Sequence, residues 1–208
     1  MTVLRPHTNG HFSPPGQATN KLLKAALPCR VPLGYAFAAL YLVLARPASN
    51  GFFLLVSALV ILGCAIRTWA AGHLSKGERV AVGGPYAFVR NPLYLGSFII
   101  GAGFCVALWS CPVPVTSVIL WAVYLVSFAV IYTTKTKAEE RELCLTLNGE
   151  YQSYASKVPS FLPWKGRVRD LGSQPFSYER FLRNREYQCL LGSAGVLAIL
   201  FVKLQLPG

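Results

Sequence analysis

Gly84-Pro85-Tyr86-Ala87-Phe88-Val89-Arg90-Asn91-Pro92-Leu93-Tyr94-Leu95-Gly96 runs without interruption into an apolar segment, Ser97 to Leu108. A Gly-Pro turn, two tyrosines, an arginine and a second proline stand at the mouth of what reads as a membrane helix. Polar and charged side chains at that depth are costly unless something satisfies them. The stretch therefore marks both an entry into the bilayer and a candidate site at the membrane–water boundary.

The rest of the chain agrees with a membrane setting. Of its 208 residues, 53% are hydrophobic and only 13% charged, against about a quarter charged in an ordinary soluble domain. Apolar stretches near spanning length, about 20 residues, occur at Val31–Ala45, Gly51–Ala71, Leu93–Ser110, Pro112–Thr133 and Tyr187–Leu206. The expected fold is an all-α, polytopic membrane protein of about five spans, or four if the first or last only lies in the interface. Residues 1–24 read as a mobile tail. Residues 25–208 read as a single domain, with a motif-bearing core at 71–164 and a linker plus last helix at 165–208.

The net charge is +12, and its placement sets the topology. Lysines and arginines cluster before the first span, between the second and third, and between the fourth and fifth. The positive-inside rule places the N-terminus in the cytoplasm and the C-terminus outside. Every acidic residue falls on the same cytoplasmic side. The basic excess is read as this signal plus attraction to anionic membrane lipids, not as nucleic-acid binding, since no aromatic–basic module is present. The six cysteines show no ligand spacing and read as packing residues, so no metal is expected. Ser97, Gly101 and Cys105, four residues apart, read as a small-residue packing face.

After the fourth span, Thr133–Lys157 reads as helix, broken at Asn148-Gly149. Lys135 and Glu139 share one face of it, at four-residue spacing. A carboxylate there, Glu139 or Glu140, suits a ligand ammonium, and Arg90 or Lys135 suits a ligand carboxylate. Tyr86 and Tyr94 offer flat apolar faces with hydroxyl handles. Each has an ordinary alternative. Arg90 and Arg67 can snorkel to headgroups, Tyr94 can belong to an aromatic belt, the glutamates can form a solvated helix face, and His73 can cap a helix.

Two motifs stand in order on either side of a membrane hairpin. The first is Gly84-Pro85-Tyr86 with Arg90-Asn91-Pro92-Leu93-Tyr94-Leu95-Gly96. The second is Glu139-Glu140, Gly149-Glu150-Tyr151, Tyr154, Lys157-Val158-Pro159 and Leu162-Pro163. The pair resembles the isoprenylcysteine carboxyl methyltransferase family and, more distantly, the phospholipid N-methyltransferases, over about Ala71 to Trp164. The resemblance implies an integral membrane enzyme that uses S-adenosylmethionine, with a cytoplasmic cofactor pocket and a lipophilic substrate entering from the bilayer near Tyr94. Carried over by position, Val80, Tyr86, Asn91, Pro92, Leu93 and Tyr94 line that pocket, with His73 upstream of it, and Glu139 holds the cofactor's amino group. Lys135, Arg90 and Glu140 are the candidate catalytic residues. Lys135 stands where eukaryotic members carry an arginine that meets the substrate. Asn91 replaces a histidine common in the family, and Asn148 stands where glycine is usual. These departures bear on the substrate more than on the cofactor. No obligatory protein partner is implied, and the compact build suggests a prokaryotic inner membrane. Two other readings are a sterol-reductase-type enzyme using NADPH, for whose 2′-phosphate no basic cluster is marked beyond Arg167 and Arg169, and a non-enzymatic helical scaffold.

Overall fold

The computed structural model describes residues 40–45, 47–74, 80–110, 114–146, 149–163 and 174–206. The chain divides into two units, Met1–Tyr41 and Leu42–Gly208. In the first, only residues 40 and 41 are described, so most of the expected first span lies outside the described residues.

The second unit is helical, with no strand among its described residues. Its elements are α1 (Asn50–His73), a short 3-10 turn (Gly84–Ala87), α2 (Pro92–Val106), a second 3-10 turn (Ala107–Ser110), α3 (Pro114–Thr146), α4 (Glu150–Ala155), α5 (Tyr178–Arg183) and α6 (Tyr187–Gln205). Among the described residues, four segments are long and apolar enough to cross a membrane: Asn50–His73, Pro92–Trp109, Pro114–Leu145 and Tyr187–Gln205. The protein is thus an all-α polytopic membrane protein. Between 11% and 33% of each spanning window is buried inside the protein, because most of each helix faces outward.

Local sequence explains the ends of the helices. Ser49 caps α1 by accepting from the Phe52 amide. Pro92 opens α2 at a position where its missing N–H costs nothing. Gly149, at φ +85°, separates α3 from α4, as the Asn-Gly pair predicted.

α1 and α2 pack at backbone contact. A Cβ on Gly63 would stand 2.7 Å from the Gly96 carbonyl oxygen, and one on Gly96 would stand 2.8 Å from the Gly63 carbonyl oxygen. A Cβ on Gly103 would stand 2.9 Å from Leu59 Cβ and 3.3 Å from Val60. The α1-facing stripe is therefore Gly96, Ile100 and Gly103. Of the small-residue face read from the sequence, Ser97 meets Arg67 of α1, whereas Gly101 lies against the Tyr124 ring of α3. Those residues serve two neighbours, because α2 lies between α1 and α3.

The described end of the linker, residues 174–186, is folded onto α1. The last carbonyls of a helix lack intrahelical partners. Here the Ser177 amide donates to Gly72 O at 2.9 Å, and the Asn184 side chain donates to Ala71 O at 3.0 Å and Leu74 O at 3.2 Å. At the other end of the bundle, Lys203 Nζ donates to the carbonyls of Leu42, Val43 and Ala45.

Candidate functional site

The site is built where the motif before α2 meets the far half of α3. Gly84 begins it at φ +57°, and a Cβ there would stand 2.7 Å from the His73 ring, so only glycine fits. The turn buries Tyr86 beside Ala70, Ala81 and Leu93. The Tyr154 hydroxyl donates to Tyr86 O at 2.7 Å, tying α4 to the turn. Val80 joins Tyr151, Tyr154 and Val158 in a second small cluster.

The two sequence motifs then clasp. The Arg90 amide donates to Pro159 O at 2.9 Å. Asn91 Nδ2 donates to Ser160 O and Oγ, both at 3.2 Å, and Ser160 Oγ is 2.7 Å from the Tyr132 hydroxyl. Arg90 and Glu140 form an ion pair at 3.0 Å, and Arg90 also donates to the Tyr151 hydroxyl at 3.4 Å. The Tyr94 hydroxyl donates to Glu139 Oε1 at 3.0 Å. Tyr94 meets Tyr132 edge to face at 5.7 Å, and the Phe161 ring lies 4.9 Å from Tyr132.

This geometry replaces two readings of isolated residues. Arg90 does not snorkel, since Glu140 holds it. Arg67 does not snorkel either; Glu186, Leu93 and Ser97 take up its guanidinium. Glu186 carried no signal in the sequence, because its partner stands 119 residues away.

The candidate residues fall into groups. Arg90, Asn91, Tyr94, Glu139 and Glu140 come together. Pro92 and Leu93 lie in the first turn of α2, behind Tyr94. Lys135 is exposed one turn before Glu139 and makes no ion pair among the described residues. His73 is buried at the end of α1. Its Nδ1 lies 2.9 Å from Trp69 O, so a proton there caps the helix, and its ring packs against Gly84 and, at 6.0 Å, Phe176. Arg167 and Arg169 lie outside the described residues.

Burial pushes the Tyr151 hydroxyl up to about 12, the neighbouring Glu140 carboxylate adds to the rise, and Arg90 opposes it. Burial also raises Tyr86 and Tyr154. These phenols stay protonated and act as hydrogen-bonding groups, not as bases at neutral pH.

An apolar groove of about 560 Å³ lies between α1 and α6, walled by residues such as Val60, Cys64, Trp69, Phe176 and Leu197. None of residues 90–94 lines it, so it is not the opening expected beside Tyr94. Its Phe176 and Trp69 rings flank His73, which rests on Gly84. Among the described residues, no group of His, Cys, Asp and Glu could hold a metal ion.

What the arrangement can bind follows from its unused capacity. Glu139 is exposed, and Tyr94 is the donor found on it. The rest of its carboxylate can accept from an ammonium. Arg90 Nε is buried without a hydrogen-bond partner, leaving one donor for a carboxylate or hydroxyl.

Parts of the chain are similar to known proteins. Methanethiol S-methyltransferase 1 of Bradyrhizobium diazoefficiens is 36% identical over 84 residues, 40% of this chain and 26% of that protein. The nickel-cobalt-cadmium resistance protein NccN of Alcaligenes xylosoxydans xylosoxydans is 30% identical over 122 residues, 57% of this chain and 53% of NccN. Protein-S-isoprenylcysteine O-methyltransferase of Schizosaccharomyces pombe is 30% identical over 113 residues, 54% of this chain and 45% of that protein. The chain thus spans between about a quarter and about half the length of these curated relatives. No protein-family model matches it, and no solved structure does.

Proposed function

We propose that this protein is an S-adenosylmethionine-dependent methyltransferase of the membrane, acting on a lipophilic acceptor, with its site on the cytoplasmic face. The observation that carries the reading is the meeting of two motifs 45 residues apart, Tyr94 on Glu139 with Arg90 on Glu140 beside it. Partial similarity to two proteins named as methyltransferases supports it.

S-adenosylmethionine would supply a sulfonium-activated methyl, which the acceptor nucleophile takes in line as the carbon–sulfur bond breaks to leave S-adenosylhomocysteine. The chain's share of this chemistry is recognition and alignment, which lowers the barrier by holding reactants in an attack geometry. Glu139 accepts from the cofactor's ammonium, and Tyr94 orients that carboxylate. Arg90 offers its remaining Nε–H to the carboxylate or a ribose hydroxyl. The rings of Tyr94, Tyr132 and Phe161 supply π-faces that favour a nearby cation and help exclude water. Lys135 stands on the solvent side, within one turn of Glu139, to meet an anionic acceptor headgroup.

The test is calorimetric titration of the purified protein in detergent with S-adenosylmethionine and, separately, NADPH. Binding of the first with a one-to-one stoichiometry, and none of the second, is expected. NADPH binding without S-adenosylmethionine binding would overturn the reading in favour of a reductase, and binding of neither would favour a scaffold.

A further inference from the structure

The grip on α2 comes from two sides. One stripe of the helix, Tyr94, Phe98 and Gly101, meets α3 through Glu139, the Tyr132 and Phe128 rings, and Tyr124. The other, Gly96, Ile100 and Gly103, meets α1. On that second side Arg67 of α1 reaches across. Its Nη1 donates to Leu93 O at 3.2 Å and to Ser97 Oγ, and Ser97 Oγ in turn donates to Leu93 O at 2.9 Å. Gly96 leaves the room this needs, since a Cβ there would stand 2.6 Å from Arg67 Cγ.

The guanidinium is itself held. Nε and Nη2 donate to the two oxygens of Glu186 at 3.0 and 2.9 Å. A planar, two-point fork of this kind fixes orientation as well as position. Glu186 stands at the N-cap position of α6 without a side-chain capping hydrogen bond, near a helix end whose dipole favours a carboxylate. The residue before it, Arg185, has φ +56°, a conformation that L side chains with a Cβ rarely adopt. The chain accepts that strained turn at the point where α5 gives way to α6 and Glu186 is delivered to Arg67.

We infer that Arg67 and Glu186 are positioning residues for the candidate site: the carboxylate of the last span orients the guanidinium, and the guanidinium sets the rotation of the first turn of α2 and so the reach of Tyr94 to Glu139. The inference rests on the proposed cofactor site for its binding consequence, but its geometric consequence stands apart from it. It gives the C-terminal segment, outside the motif-bearing core, a role in the site.

The experiment uses the full chain in lipid nanodiscs. It compares wild type with Glu186→Gln, the milder Arg67→Lys, and the exchange of Arg67→Glu with Glu186→Arg. Three quantities are read: the thermal midpoint, the ring-carbon resonance of Tyr94 in ¹³C-tyrosine protein (assigned by Tyr94→Phe), and S-adenosylmethionine affinity. Arg67→Lys keeps a point charge for Glu186 but cannot bridge Leu93 and Ser97. Its midpoint should stay near wild type while the Tyr94 resonance moves toward its position in Glu139→Gln protein. Affinity should fall by about tenfold, the equivalent of losing about 1.4 kcal/mol of binding. Glu186→Gln should move the resonance the same way. The exchange should recover the midpoint but neither the resonance nor the affinity. An unmoved Tyr94 resonance in Arg67→Lys and Glu186→Gln, or full recovery by the exchange, would overturn the inference and leave only a stabilising ion pair. Wild-type protein that fails to bind S-adenosylmethionine would remove the methyltransferase reading alone, since the Tyr94 resonance needs no cofactor.

Discussion

Glu139 stands at the exposed edge of the site, with Tyr94 as its hydrogen-bonding neighbour. A hydrogen bond to a charged group is worth about 1.5–3 kcal/mol, and exposure to solvent puts this one at the lower end. Glu139→Gln should therefore weaken S-adenosylmethionine binding by about tenfold, and Tyr94→Phe by less, since it removes only the hydroxyl that orients the carboxylate. Glu142→Gln, one turn along the same helix, is the control, and calorimetry on the three variants is the measurement. Lys135 makes no ion pair among the described residues. Lys135→Ala should lower turnover while leaving cofactor affinity unchanged, which steady-state kinetics and titration separate. Tyr151 gives a pH prediction. Its pKa is raised from 10.0 to about 12 in the folded protein, so between those values the folded state holds a proton that the unfolded state has lost. Stability from this group is complete below pH 10 and disappears as pH rises toward 12. Tyr151→Phe should flatten the alkaline fall of the thermal midpoint in part, because Tyr86 and Tyr154 shift in the same direction.

Between elements, contact distance separates glycines that look alike in the sequence. A Cβ on Gly63 would lie 2.7 Å from Gly96 O and 2.9 Å from the Ile100 amide nitrogen. Backbone cannot move aside as a side chain can, so Gly63→Ala must push α1 from α2, at the cost of about 1–3 kcal/mol usual for overpacking. Gly195 of α6 has nothing within 4 Å of an added Cβ. Gly195→Ala should leave the thermal midpoint unchanged or raise it, since alanine favours helix over glycine by about 1 kcal/mol. Thermal unfolding in one detergent checks both. The small-residue spacing in α2 was legible as a packing device. Which neighbour each residue faced was not, because one helix period serves α1 and α3 alike.

At the scale of the whole molecule, four described helices can cross a membrane, and the positive-inside rule predicts, from the clustering of lysine and arginine, that the motif-bearing end lies in the cytoplasm. A reporter fused after Gly208 should then signal outside the cytoplasm. The fifth crossing is decided at the other terminus. A reporter before Met1 that signals from the cytoplasm means that the first apolar stretch spans, since four crossings alone return the chain to its starting side and five do not.

Composition and hydropathy by themselves determined that this is a helical membrane protein, because apolar length and the scarcity of charge are properties of the chain read one residue after another. The order of motifs likewise made Tyr94 and Glu139 legible as a pair, since a short hairpin between two spans returns the chain to one side. The tertiary structure alone decided how charges are satisfied. Arg67 read as a residue seeking headgroups, and Arg90 as either that or a group for a ligand carboxylate, yet Glu186 and Glu140 pair with them. The physical reason is that the partner of a buried charge is chosen by which helix end arrives beside it, and nothing in the local sequence around Arg67 records that a carboxylate 119 residues further on will be turned toward it.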